Sequence, residues 1–158
     1  MNISHLSFSA LPPINVPFRY FLSAPLFLMA AAILMLFAGA DIWGSRWHPM
    51  MLAIPHLFTL GFMSMVMMGA IYQFLPVVGG IGVKQPLRIA AIAHTAHIIA
   101  TVALVINFIM PSVAMLITAG IGFTIGFGVY LLAVGWVLVK RLSQGETIIG
   151  IRLAIICL

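Results

Sequence analysis

Three histidines lie within apolar segments, where an imidazole is unusual and could do chemistry. His56 belongs to the uncharged stretch 49–83, and His94 and His97 belong to "AHTAH", residues 93–97. A polar side chain inside a membrane costs free energy unless it is hydrogen-bonded or ligated. Neutral imidazole is the commonest metal ligand and a usual axial ligand of haem iron. A histidine can equally bond a backbone carbonyl or a Ser/Thr hydroxyl across a helix interface, and both interpretations stay open.

The two histidines of "AHTAH" have the spacing of neighbours on a helix. His94 and His97 are three residues apart, so they project from one face. With Ala90, Thr101 and Leu104 they form a stripe that leaves room for a flat ligand or a metal ion. We therefore consider haem iron or copper at His94 or His97. The alternative is a polar seam between helices, since two histidines alone supply too few ligands for a metal ion.

Other residues that could bind metal have simpler interpretations. His48 precedes a proline at a predicted boundary, and we interpret it as an interfacial residue. His5 receives no role. The methionines of the second apolar run suit packing better than copper binding, and they are Met63, Met65, Met67 and Met68. The single cysteine, Cys157, allows no disulfide framework and no thiolate metal site within the chain.

The composition allows only a membrane environment. Of the 158 residues, 64% are hydrophobic and 6% are charged, and the mean hydropathy is +1.25. A soluble domain carries roughly 25% charged residues, so the bilayer is the expected solvent and partner. A net charge of +5 could suggest a nucleic-acid partner. We exclude one because the basic residues are scattered at the ends of apolar runs, where membrane helices place them.

The apolar runs predict an all-α membrane protein. An interfacial arm covers residues 1–19, and a transmembrane helical bundle of up-down topology covers 20–158. Each run is long enough to cross the bilayer, since ~20 residues span the hydrocarbon core. The predicted spans are 20–43, 49–76, 87–109 and 112–139, followed by 147–158 as the start of a fifth. This last run stops about halfway through a span, so we expect the chain to continue past Leu158.

The basic residues predict the orientation. The arm and the second and fourth connections lie on one side, and Arg46 lies on the other. The first group consists of Arg19, Lys84, Arg88, Lys140, Arg141 and Arg152. The positive-inside rule then places the N-terminus in the cytoplasm, and we expect a bacterial inner membrane. His56 falls in the outer half of the bundle, and His94 and His97 fall in the inner half.

The depths of the histidines limit how they could share a cofactor. At ~1.5 Å per helical residue, His56 lies ~30 Å from the inner end of its helix and His97 lies ~16 Å from that end. The offset of ~14 Å is too large for two axial ligands of one haem. Either each site finds its partner elsewhere, or only one histidine is a ligand.

The segment "HLFTLGFMSMVMMGAIYQFLP", residues 56–76, follows the pattern H-x4-G-aromatic-x6-G-x2-Y-x3-P. It resembles the second membrane helix of haem-copper oxidase catalytic subunits (cytochrome oxidase subunit I), and especially of short oxidase-like bacterial membrane proteins. It is also similar to NnrS-type haem and copper membrane proteins. The matching residues are His56, Gly61, Phe62, Gly69, Tyr72 and Pro76.

The resemblance covers about 30 residues and implies that His56 is an axial ligand of a low-spin haem near the outer side. The oxidases have several more membrane helices, which supply their other haem and copper ligands. Those helices are not in this sequence, so the resemblance does not extend to oxygen reduction. His94 and His97 have no counterpart in the pattern.

These observations predict a membrane protein that binds haem b and serves respiratory or other electron transfer, with copper as a possible second metal. The partner ligand of His56 would come from a second copy of the chain, from further membrane subunits or from a later part of the chain. One alternative is a non-redox sensor or assembly factor for haem, copper or nitric oxide. Another is a transporter-type bundle whose histidines pack helices or relay protons. Asp41 and Glu146 lie at interfaces, which argues against proton-coupled transport.

Overall fold

The computed structural model describes residues 11–140 and 146–157, and all regular structure in these ranges is helical. The helices are α1 (Asn15–Ala38), α2 (Pro49–His56, Leu57–Met63 and Ser64–Gly79 in succession), α3 (Pro86–Ile109), α4 (Val113–Lys140) and α5 (Glu146–Cys157). The first four are long and apolar enough to cross a membrane. The predicted all-α membrane bundle is therefore confirmed.

The first span is displaced from its predicted position. It was expected over 20–43, but α1 begins at Asn15, inside the predicted arm, and ends at Ala38. Gly39 has a φ of 67°, which glycine adopts without strain, and the chain then forms a 3-10 turn over Ala40–Gly44. The prediction was wrong because hydropathy does not detect a backbone break inside an apolar run. Residues 1–10 of the arm lie outside the described residues.

The other boundaries lie close to the predicted ones. Pro76 was expected to end the second span, but it lies inside α2, which continues to Gly79. Gly80 then adopts a left-handed conformation with a φ of 69°, a common way to end a helix. The predicted limits of α3, α4 and α5 differ from the observed ones by one residue at most; Leu158 lies outside the described residues.

The contacts between helices show an up-down arrangement. Gly61 of α2 packs on Phe27 of α1, and Gly69 packs on Tyr20. The order of contacts runs forward on one helix and backward on the other, so α1 and α2 are antiparallel. In the same way, Gly122 of α4 contacts a later part of α3 than Gly126 does, so α3 and α4 are also antiparallel.

Small residues set the distance between α3 and α4. A Cβ atom on Gly122 would lie 2.8 Å from the Ala100 Cβ. A Cβ atom on Gly126 would lie 3.2 Å from the Ala93 carbonyl oxygen and 3.2 Å from the backbone nitrogen of His97. The helices could not approach this closely with larger side chains. Gly122 and Gly126 are therefore helix-packing residues.

The outward faces of the bundle are apolar. Leu36, Leu132 and Val139 are 82%, 77% and 79% exposed. Side chains of this kind lose free energy in water and gain it in hydrocarbon. The outward faces therefore contact lipid, and the chain is an integral membrane protein.

Candidate functional site

The side chain of His56 is held by its own helix. Its Nδ1 atom lies 2.7 Å from the carbonyl oxygen of Leu52, one turn earlier. A carbonyl can only accept, so Nδ1 carries the proton and donates it. Nε2 is then the unprotonated nitrogen, and no hydrogen-bond partner for it occurs among the described residues. This is the tautomer that a metal-binding histidine needs, with one nitrogen fixed and the other lone pair available.

The ring of His56 is partly enclosed by the neighbouring helix. Its centroid lies 4.8 Å from that of Phe108 in α3, and the residue is half-buried. An apolar groove of about 460 Å³ runs nearby between α1 and α3. Its walls include Leu57, next in sequence to His56, and Ile109, next to Phe108. The ring contact of His56 is thus the apolar side chain of Phe108, and the groove lies beside the histidine without including it.

Helix α2 changes its hydrogen-bonding pattern directly after His56. Leu57–Met63 forms a π-helical segment, in which the Ser64 N–H donates to the Thr59 carbonyl five residues earlier. Such segments are rare and occur frequently at functional sites. Pro55, which lacks an N–H, lies one residue before His56. The sequence pattern did not indicate the π-helical segment.

His97 is bonded to that π-helical segment from the neighbouring helix. Its Nε2 atom lies 2.8 Å from the Leu60 carbonyl oxygen and 2.9 Å from the Ser64 Oγ. Ser64 donates its own proton to the same Leu60 carbonyl. The His97 side chain is fully buried, with its ring edge-on to Phe123 and Phe127 at centroid distances of 5.3 and 4.7 Å. His97 thus joins α2, α3 and α4.

His94 faces the first helix instead. Its Nε2 atom lies 2.9 Å from the Ser23 Oγ, and its ring lies edge-on to Tyr20 at 5.0 Å. The sequence predicted that His94 and His97 project from one face of the helix. In the structure the two rings contact different neighbouring helices. The polar seam that the sequence left open is present, and it accounts for one nitrogen of each ring. A haem or copper role for either histidine stays a prediction.

All three tyrosines of the chain meet in one buried cluster that the sequence analysis missed. Tyr72 lies between Tyr20 at 5.8 Å and Tyr130 at 5.4 Å between ring centroids. The Tyr20 hydroxyl donates to the Ala90 carbonyl, and that of Tyr130 donates to the Met68 carbonyl. The residues are far apart in sequence, and only their rarity in an apolar chain could have drawn attention to them.

One buried polar atom of the tyrosine cluster lacks a hydrogen-bond partner among the described residues. The Tyr72 hydroxyl has no hydrogen-bond partner in the described part of the chain. The same holds for the Nδ1 atom of His97. Such atoms are uncommon in protein interiors, because each costs free energy.

The register of the helices separates the histidines in depth. His97 lies beside Leu60 and Ser64, which follow His56 by four and eight residues. At ~1.5 Å per residue the difference along α2 is roughly 6–12 Å. The structure brings His94 and His97 into one layer of the bundle, and it leaves His56 in another.

The described residues contain no group of three or more His, Cys, Asp or Glu side chains that could hold a metal ion. Comparison with known proteins yields no match: no family model fits the chain, and no curated protein or solved structure is significantly similar to it. The candidate site is therefore argued from its geometry.

Proposed function

We propose that this chain is a haem-binding membrane protein of electron transfer, with His56 as an axial ligand of a b-type haem. The observation that carries the proposal is the hydrogen bond from His56 Nδ1 to the Leu52 carbonyl oxygen. It fixes the ring and leaves the Nε2 lone pair without a partner. Bound haem would supply a metal centre that exchanges one electron at a time.

The residues around His56 fit a haem better than a bare metal ion. A copper or zinc site needs several protein ligands, and the described residues hold no such group. The porphyrin supplies four nitrogen ligands to the iron. One histidine with the correct tautomer can therefore provide the first axial ligand. Phe108 beside the ring would shield a macrocycle from water on that side.

His94 and His97 are less suited to that role in the described conformation. Each has its Nε2 atom within hydrogen-bond distance of a core group, Ser23 Oγ for His94 and the Leu60 carbonyl for His97. A ligand at either nitrogen would have to replace these bonds. We therefore propose that His94 and His97 position the helices and that His56 binds the haem.

The second axial ligand has to come from outside the described helices. His48 caps the start of α2, eight residues before His56, which is ~12 Å along the helix axis and too far to reach the opposite face of one haem. We propose that a histidine of a second copy of this chain, or of another membrane subunit, completes the coordination. The chain would then work in a bacterial inner membrane, with the N-terminus in the cytoplasm.

The test is a titration of the detergent-purified full chain, produced in haem-deficient cells, with haemin. We expect a saturable shift of the Soret absorbance in the wild type and its loss in His56→Ala. The control is His48→Asn, which removes the other histidine at this end. Asn can still cap the start of α2, where the His48 side chain accepts a hydrogen bond from the Met50 backbone N–H.

Equal haemin binding by wild type and His56→Ala, with both folded by circular dichroism, would contradict the proposal. The haem-to-chain ratio at saturation gives the source of the second ligand. One haem for two chains indicates that the two copies share one haem through their His56 side chains, and one haem for each chain excludes such a shared haem.

A further inference from the structure

A second apolar groove lies at the end of the bundle that carries most basic residues. It has a volume of about 430 Å³ and runs between the start of α3 and the last turns of α4. Its walls are Val83, Ile89, Val129, Leu132, Ala133 and Trp136 among others. The volume is in the range of small-molecule sites. The groove is open to the side, where the bilayer surrounds the helices.

Two lysines lie at the rim of this groove. Lys84 forms part of its wall. The Lys140 ammonium lies 4.6 Å from the ring centroid of Trp136, which is also a wall residue. Both lysines are exposed, and neither forms an ion pair with an acidic side chain in the described part of the chain. The groove therefore combines an apolar floor with two uncompensated positive charges.

This combination matches one class of ligand. Trp136 and the lysines belong at the level of the lipid headgroups, where tryptophan and basic residues are enriched. An acyl chain fills an apolar groove below that level, and a phosphate group compensates ammonium charges. Glu146, at the start of α5, is the acidic side chain described at this end, and the two lysines outnumber it.

We propose that the groove between Lys84 and Lys140 binds one anionic phospholipid. The acyl chain lies along α3 and α4, and the phosphate lies beside the two ammonium groups. This proposal is independent of haem binding.

The test uses Trp136 as a reporter in the full chain. Replacing Trp43 and Trp47 by Phe leaves Trp136 as the single tryptophan. The chain is placed in bilayers of unlabelled phosphatidylcholine that contain a rising fraction of either phosphatidylglycerol or phosphatidylcholine with brominated acyl chains. Bromine quenches tryptophan on contact, so the half-quenching fraction measures occupancy of the groove.

We expect brominated phosphatidylglycerol to quench Trp136 at a lower fraction than brominated phosphatidylcholine. Exchanging Lys84 or Lys140 for Gln should weaken this preference by roughly fivefold each, and the double variant should lose it. Ala133→Phe fills the groove and keeps both charges, so it should also remove the preference. High salt should reduce the preference only in chains that retain the lysines.

The opposite end of the bundle supplies a matched control. Arg46 lies 5.3 Å from the ring centroid of Trp47, so a cation again covers an indole, but on the connection between α1 and α2. A chain with Trp47 as its single tryptophan should show a clearly weaker preference for phosphatidylglycerol than the Trp136 chain, because one cation rather than two lies beside its ring. Equal quenching of Trp136 by both lipids would overturn the proposal. An unchanged preference in the folded double lysine variant would overturn it as well.

Discussion

The Nε2 atom of His97 lies 2.8 Å from the Leu60 carbonyl oxygen, so a side chain of α3 completes the hydrogen bonding of the π-helical segment in α2. The Ser64 hydroxyl shares that carbonyl. His97, which the sequence suggested as a metal ligand, thus has a structural role. The same relationship separates His97 from His56, whose Nε2 atom has no such partner.

The first prediction concerns His97. His97→Ala removes the bond to Leu60 and leaves a cavity beside Phe127, so we expect a loss of about 2–4 kcal/mol in unfolding free energy. His97→Gln keeps a donor and should lose about 1 kcal/mol. Unfolding in mixed detergent micelles measures both. If the folded His97→Gln chain instead lost bound haem, the assignment of His97 to helix positioning would be wrong.

The second prediction concerns the contact between α3 and α4. A methyl group at Gly122 would lie 2.8 Å from the Ala100 Cβ, so Gly122→Ala should cost about 1–3 kcal/mol through overpacking. Gly120 lies two residues away on the same helix with nothing within 4 Å of an added Cβ. Gly120→Ala should therefore be neutral or stabilise the helix by up to about 1 kcal/mol. Similar unfolding midpoints for the two variants would contradict the packing described.

The third prediction concerns the π-helical segment. A Cβ atom on Gly61 would lie 2.5 Å from the Phe27 Cγ. We expect Gly61→Ala to destabilise the chain, and Phe27→Ala in the same chain to recover part of the loss. A double-mutant cycle on unfolding free energies measures the coupling, which should exceed about 0.5 kcal/mol. Strict additivity would mean that the two residues do not touch.

The fourth prediction concerns the tyrosine cluster. The Tyr72 hydroxyl is buried without a partner in the described part of the chain, whereas the Tyr130 hydroxyl donates to the Met68 carbonyl at 3.2 Å. Tyr72→Phe should be neutral or stabilise the chain by up to about 1 kcal/mol, and Tyr130→Phe should cost about 1 kcal/mol. A large loss in Tyr72→Phe would show that its hydroxyl does have a partner in the membrane.

The membrane spans followed from the sequence because each is a long uncharged run, and hydropathy measures directly what the bilayer selects. The end of α1 did not, because one glycine at a φ of 67° ends that helix inside an apolar run. Close packing at Gly122 and Gly126 was predictable, since small residues at this spacing allow membrane helices to approach closely.

The candidate site was predictable only in part. The sequence singled out His56, His94 and His97 because buried imidazoles are costly in a membrane. It did not distinguish the free lone pair of His56 from the bonded nitrogen of His97, because Leu60 and Ser64 belong to another helix. The tyrosine cluster also depends on contacts between residues that are 50 or more positions apart.

The most direct test of the central proposal is the reduced-minus-oxidised spectrum of the detergent-purified chain beside His56→Gly, with and without added imidazole. We expect bands of a b-type haem in the wild type and their loss in His56→Gly. Free imidazole should restore them, because it can occupy the space of the missing side chain and supply the same nitrogen ligand. A folded wild-type chain without haem bands, or bands that persist in His56→Gly without imidazole, would contradict haem ligation by His56.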